Sequence, residues 1–390
     1  MFSENNFVMS LEEKFILLST RLHISEDIKQ ELQNMSASAL QWDKIFTIAG
    51  IHRVDNLIYY ALKQADLLNL IPNKYSQLFK LKYHSTAMAN EKFMEDVNGI
   101  QSSLPQDKIV LLKGSALLSN LYPNYGTRQM ADIDILILKD RRDAVREQLL
   151  NSGWKSDFYA GYRSAIHREL AEKYSKTMYA VYKGRWERFL DIHWKFYIGK
   201  DDDKLAFEAM NTSLVVSGGY NVLSNEMMLI HLCSNFADGF AAGEKLRTLC
   251  DIREFVRAKF IDWNKVEDVS KDTILYEKIA LSLNAVKWLY GDEVPKLYKR
   301  NYFDVIPPSL ETLIARKKRK SKPTFWQTIK NSITAFQNPI KVFVFLYKTI
   351  FPDVEWLRKM YPGKKSSHLR YWKYLFFRHI LRADKRYRNF

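Results

Sequence analysis

The sequence predicts an α+β fold, a small mixed-sheet core flanked by helical regions. Short apolar, β-branched runs cluster between residues 104 and 200 and alternate with helical stretches. On both sides of that block apolar residues recur at helical spacing instead. The charge is divided as sharply. The chain of 390 residues carries a formal +16, yet residues 311–390 hold 20 of its 60 Lys and Arg and only four acids. The remainder is a neutral body, so the excess belongs to one segment and points that segment toward an anionic partner.

Residues 1–103 form a helical N-terminal region. Leu11, Phe15, Leu18 and Leu22 share one helical face, and Ser10 with Glu13 has the capping-box form. Trp42, Ile45, Phe46 and Ala49 continue the pattern, and a long helix spans Tyr75 to Val97. In the core, residues 104–200, the run Ile109–Leu112 reads as a strand ending at Lys113-Gly114-Ser115, and Ala116–Leu121 as the helix that follows. An insert, Tyr122–Met130, holds a turn and room for an extra strand segment. Ile133–Leu138 is a second strand. Asp140–Ser152 is helical and stops at Gly153. Thr177–Lys183 and Arg188–Phe196 read as two strands around a turn at Lys183-Gly184-Arg185.

Residues 201–305 return to helical character, clearest in Glu226–Phe240, Lys245–Lys259 and Leu275–Leu289. A boundary is expected near Pro307-Pro308 and the basic run Arg316–Lys320. Residues 306–390 then form a basic C-terminal helical segment. Residues 311–390 contain 16 aromatics, which argues against a disordered tail. Thr324–Phe336 and Leu369–Arg382 read as helices with apolar and basic faces. Packing against the body is the first reading of this segment. Peripheral contact with an anionic membrane comes next, and nucleic-acid binding through charge and stacking ranks below both.

Composition removes several classes. With 14 Gly and 10 Pro the chain is neither collagen-like nor low-complexity. No run reaches the roughly 18 apolar residues of a membrane span. The start, MFSENNFVMSLEEK, places acids where a signal peptide needs basic and then apolar residues. Cys233 and Cys250 lack metal-ligand spacing and read as buried thiols, which suits a cytoplasmic protein.

The chemistry concentrates in Asp132-Ile-Asp134 and in Gly114-Ser115. On a strand, residues i and i+2 project from one face, so Asp132 and Asp134 point together while Ile133 and Ile135 face the core. Two carboxylates about 6–7 Å apart along a strand repel unless a cation neutralises them. Hard oxygen ligands select Mg2+, with Mn2+ as the alternative, and no CxxC or His pair suggests zinc. Gly114 at a strand-to-helix turn allows close backbone approach, and the first helix amides suit phosphate. Ser115 serves as a phosphate contact or a cap, Lys113 as a triphosphate contact, and Arg128 as a phosphate fork or a structural ion pair. Asp191, in Phe189-Leu-Asp-Ile-His-Trp194, supplies the third acid of a two-metal site. His193 shares its face as an orienting group or a base.

Gly-Ser followed by Asp-x-Asp and a later strand Asp resembles the DNA polymerase β-like nucleotidyltransferase superfamily. More closely, Leu111-Leu-Lys-Gly-Ser115, Arg128, Asp132-Ile-Asp-Ile-Leu136 and Leu190-Asp-Ile-His-Trp194 look like the bacterial family called uncharacterised nucleotidyltransferase. His231-Leu-Cys and Leu249-Cys-Asp251 fit its second half. Where the family often has a second histidine four residues on, this chain has Asn235. The resemblance implies transfer of a nucleoside monophosphate from an NTP, with pyrophosphate released. The family's occurrence near polysaccharide and modified-peptide biosynthesis genes implies a small-molecule or sugar-phosphate acceptor. The alternatives are an RNA nucleotidyltransferase that uses the basic tail and a nucleotide-binding module without turnover.

Overall fold

The computed structural model describes residues 9–36, 39–156, 164–167, 169, 177–183, 188–195, 202–216, 218–240, 246–293, 295, 298 and 338–360. The basic run Arg316–Lys320, the helices expected at Thr324–Phe336 and Leu369–Arg382, Pro307-Pro308 and the tip of the Lys183–Arg185 turn lie outside them.

Five helices open the chain: α1 (Leu11–Ser19), α2 (Glu26–Ser36), α3 (Trp42–His52), α4 (Asp55–Gln64) and α5 (Asn73–Ser103). The capping box at α1 is present, with Ser10 N–H donating to Glu13 Oε2 at 3.0 Å and Glu13 N–H to Ser10 Oγ at 3.3 Å. These two bonds satisfy amides that a helix start otherwise leaves open. α5 extends beyond Tyr75–Val97 at both ends, and its buried residues Tyr75, Phe79, Thr86, Asn90, Phe93, Val97 and Ile100 keep helical spacing to its last turn.

The core is a seven-stranded sheet: β1 (Val110–Leu112), β2 (Asp132–Leu136), β3 (Lys155–Ser156), β4 (Thr177–Lys183), β5 (Arg188–His193), β6 (Leu214–Val216) and β7 (Tyr220–Val222), in the order β3-β4-β5-β2-β1-β7-β6. β1 runs antiparallel to β2, and β2 parallel to β5. Helix α6 (Lys113–Asn120) follows β1 directly, and α7 (Arg142–Asn151) follows β2. α7 ends ahead of Gly153, whose φ of +89° only glycine adopts without strain. Val110, Leu111, Ile133, Ile135, Leu190 and Ile192 are fully buried at the sheet's centre.

The structure departs from the sequence reading in two places. The insert expected to add a strand segment forms turns, pinned by Asn90 of α5, whose Nδ2 donates to the carbonyls of Tyr125 at 2.7 Å and Arg128 at 2.6 Å. The stretch after residue 203 is not wholly helical. After α8 (Asp202–Asn211) it forms the β6–β7 hairpin, with Gly218 and Gly219 at φ of +84° and +75°. Strands of three residues are too short to show alternation, and they are held by the parallel pairing of β7 on β1.

A helical layer then follows: α9 (Asn225–Phe240), α10 (Leu246–Ala258), α11 (Trp263–Ser270) and α12 (Ile274–Tyr290). Cys233 and Cys250 are buried thiols within it, and burial pushes both up to about 12. Two further helices, α13 (Pro339–Ile350) and α14 (Val354–Met360), are described in the C-terminal segment. Val342 and Phe345 of α13 are buried, and the Phe345 ring lies 4.6 Å from that of His167, whereas Ile340, Phe343 and Tyr347 are exposed. No helix among the described residues is long and apolar enough to cross a membrane.

Candidate metal and nucleotide site

Three neighbouring strands bring the site together. In the parallel register of β2 and β5, Asp134 stands opposite Asp191, and Leu136 opposite His193. In the antiparallel register of β1 and β2, Asp134 stands opposite Leu112, the residue before Lys113. Residues far apart in sequence therefore meet because the ladder registers place them side by side. Asp134, Asp191 and His193 each offer one ligand atom, all within 4.8 Å of one another.

Asp134 is the hub and is almost wholly buried. Its Oδ1 accepts from Lys113 Nζ at 2.6 Å and lies 2.8 Å from His193 Nε2. Burial alone would raise its pKa, but the Lys113 ammonium and the His193 contact hold it well below the usual carboxylate range. Asp191 has less relief, from the charge of Lys113 alone. Burial, then the charges of Asp134 and Asp132, push it up to about 6. Asp132 is also raised, first by burial and then by Asp134, while Lys113, Arg247 and Arg128 act the other way. It is half-buried at the strand's entry, opposite Phe189 and outside the Asp134, Asp191 and His193 group.

A cluster with this much uncompensated negative charge fits a divalent cation. Two carboxylate oxygens and an imidazole nitrogen suit Mn2+ as well as Mg2+, because imidazole is the softer donor. His193 thus offers a ligand atom and also neighbours His231, whose ring lies edge-on at 6.4 Å between centroids.

The residues expected to bind phosphate divide. Lys113 has a positive φ of 43°, unusual for a residue with a Cβ, and it turns its ammonium onto Asp134. Burial would lower its pKa, but Asp134, Asp132 and Asp191 raise it, so it stays charged. Ser115 is fully buried and does not cap the helix, since its hydroxyl donates to Leu112 O at 3.3 Å. Gly114 is small for packing: a Cβ there would lie 2.9 Å from Arg128 Nη1 and 3.0 Å from Met130 Cγ. Of its two readings, Arg128 takes the structural one. Its Nε and Nη2 donate to Asp251 Oδ1 and Oδ2, each at 2.7 Å, and Tyr122 Oη also donates to Asp251 Oδ1 at 2.7 Å. This buried, bidentate pair ties the turn after α6 to α10.

Sequence reasoning missed Arg247, in the first turn of α10. Its signal was its position four residues before Asp251, which places both on one helical face. That spacing suggests an intrahelical ion pair. In the structure Arg128 takes Asp251, and Arg247 Nη1 donates to Gln129 O at 2.8 Å instead.

The profile of the family described as uncharacterised nucleotidyltransferase matches residues 38–291. The match takes in the helices from α3 onward, the sheet and the helical layer to the end of α12. No curated protein matches the chain.

Proposed function

The chain belongs to the uncharacterised nucleotidyltransferase family, and from that premise we propose that it moves a nucleoside monophosphate from an NTP to a small-molecule or sugar-phosphate acceptor. The acceptor oxygen attacks the α-phosphorus, the bond to the bridging α–β oxygen breaks, and pyrophosphate leaves with that electron pair. The observation that carries the reading is the gathering of Asp134, Asp191 and His193 beside Lys113 at the N-terminus of α6.

In this reading Asp134 and Asp191, with His193 and with Asp132 at the strand's entry, hold Mg2+ or Mn2+. When bound, the ions neutralise charge on the phosphates and lower the pKa of the acceptor. The chain's own residues position the reactants. The amides at the start of α6 face the triphosphate with the positive end of the helix dipole. Lys113, now on Asp134, supplies the positive charge that a phosphate oxygen would meet there. Gly114 and Ser115 contribute backbone only. Arg128 keeps the turn in place through Asp251 and so acts without touching the nucleotide. His193 orients Asp134 through its Nε2 contact.

We infer also that the basic C-terminal segment brings the enzyme to an anionic membrane surface. α13 packs inward through Val342 and Phe345 and leaves Ile340, Phe343 and Tyr347 exposed along one face. The test of the transferase reading is incubation with each labelled NTP, Mg2+ or Mn2+ and a fractionated extract. Label is expected in a small molecule or lipid-linked sugar, with one equivalent of pyrophosphate released. Label recovered only in RNA would replace the proposed acceptor. No transfer with any NTP would remove the enzyme reading.

A further inference from the structure

Most charges around α10 are matched among the described residues; Arg21, over the Tyr290 ring, and Arg247 are not. Arg128 is held by Asp251 through two bonds. Arg253 pairs with Glu254 and, through Nε at 2.8 Å, with Asp292. Arg247 forms no ion pair with any described carboxylate, and its one hydrogen bond is that of Nη1 to Gln129 O. Its Nε is buried and makes no hydrogen bond. A buried donor on a permanent cation is costly to leave unmet, so such a group usually has a partner.

The surroundings identify the ligand's sign and place. Burial, then the positive charge of Arg128 beside it, bring Arg247 down to about 10, while Asp251 acts the other way and Arg53 adds a further positive charge. Of the two arginines that donate to Gln129 O, Arg247 at 2.8 Å and Arg128 at 3.4 Å, only Arg128 is paired with an anion. The Gln129 carbonyl that holds Arg247 Nη1 lies three residues before Asp132, so the guanidinium sits beside the entry of β2. Arg128 also stacks its Nη1 near the Gly114 position, which joins this region to the start of α6. With Nη1 spent on Gln129, the remaining Nε–Nη2 edge is the one that can donate to two oxygens of a phosphate in parallel.

We propose that Arg247 is a phosphate-binding residue of this site, and that its Nε–Nη2 edge receives an oxyanion of the NTP's β- and γ-phosphates. The proposal rests on the transferase reading for the identity of the ligand. The anion site itself rests on the arginine's geometry. Arg247 completes what Arg128 was expected to do, because Asp251 has already neutralised Arg128.

Inorganic pyrophosphate without metal is the probe, titrated calorimetrically into the full chain. Arg247→Gln is expected to weaken binding about tenfold or more, the loss of one bidentate charged contact. Arg247→Lys keeps the charge without the fork and is expected to fall between. The melting temperature of Arg247→Gln should hold or rise, since an unmatched, partly buried cation has been removed. Pyrophosphate affinity unchanged in both variants would overturn the proposal, as would a Gln variant that melts far below wild type while the Lys variant binds normally. The two readings also fail separately. Nucleotide transfer by wild type with an unaltered KM for NTP in Arg247→Gln sinks the inference and leaves the transferase. Pyrophosphate binding through Arg247 in a protein that consumes no NTP sinks the transferase and leaves the anion site.

Discussion

Replacing Asp251 with Ala tests whether the Arg128 pair is a structural strut. The substitution leaves the Arg128 guanidinium, 6% exposed, without its carboxylate, and the buried Tyr122 hydroxyl without its acceptor. Removing one partner of a buried pair costs about 3–5 kcal/mol. An orphaned buried hydroxyl adds about 1–3 kcal/mol, only partly additive in one network. A loss of about 4 kcal/mol or more is therefore expected, a large share of the roughly 5–15 kcal/mol that holds a typical domain. Urea denaturation followed by tryptophan fluorescence measures it. The triple variant Arg128→Met, Asp251→Leu and Tyr122→Phe removes all three polar partners at once and is expected within about 2 kcal/mol of wild type, because no charge is stranded. An Asp251→Ala loss below about 1 kcal/mol would refute the strut, and so would a triple variant as unstable as the single one. If the triple variant folds and transfers nucleotide, Arg128 acts by holding the turn; if it folds and is inactive, its fork serves the phosphates after all.

Asp134→Asn should abolish label transfer and Mn2+ binding while leaving the far-ultraviolet circular dichroism unchanged, and full activity in that variant would dismiss the metal assignment. Asp191 gives a pH dependence with a definite sign: its folded pKa of about 6 lies above the ordinary carboxylate value, so in metal-free protein its contribution to stability is present below about pH 4 and lost as pH rises through 6. Since a divalent cation needs the deprotonated form, Mn2+ affinity should climb about tenfold per pH unit below 6 and level off above it, and a flat titration by electron paramagnetic resonance from pH 5 to 7.5 would contradict this. Gly114→Ala forces a Cβ against Arg128 Nη1, which Asp251 prevents from yielding, and should cost about 1–3 kcal/mol in a thermal melt; an unchanged melting temperature would show that the turn relaxes freely. Co-sedimentation with anionic vesicles should weaken when residues 311–390 are removed, and equal binding to neutral vesicles would count against an electrostatic surface contact.

Much of this protein is legible in its residues alone. The α1 capping box, the strand around Asp132-Ile-Asp134 and the stop at Gly153 follow from local chemistry, which acts within a few residues and leaves a readable pattern. The charge asymmetry is equally local, and it separates a neutral body from a basic segment without any structure. The meeting of Asp134 with Asp191 and Lys113 was legible as types of residue but not as geometry, because it depends on which strands pair and in what register. The β6–β7 hairpin was signalled only by Gly218-Gly219, since three-residue strands show no alternation and are held by the pairing of β7 on β1. Arg128 and Arg247 show the limit most clearly. Spacing offers Asp251 to Arg247, one turn away, and offers Arg128 to a phosphate. Tertiary packing gives Asp251 to Arg128 instead, because a buried carboxylate can be satisfied only by the donors that the fold brings to it, and the arginine left over becomes the one that awaits an anion.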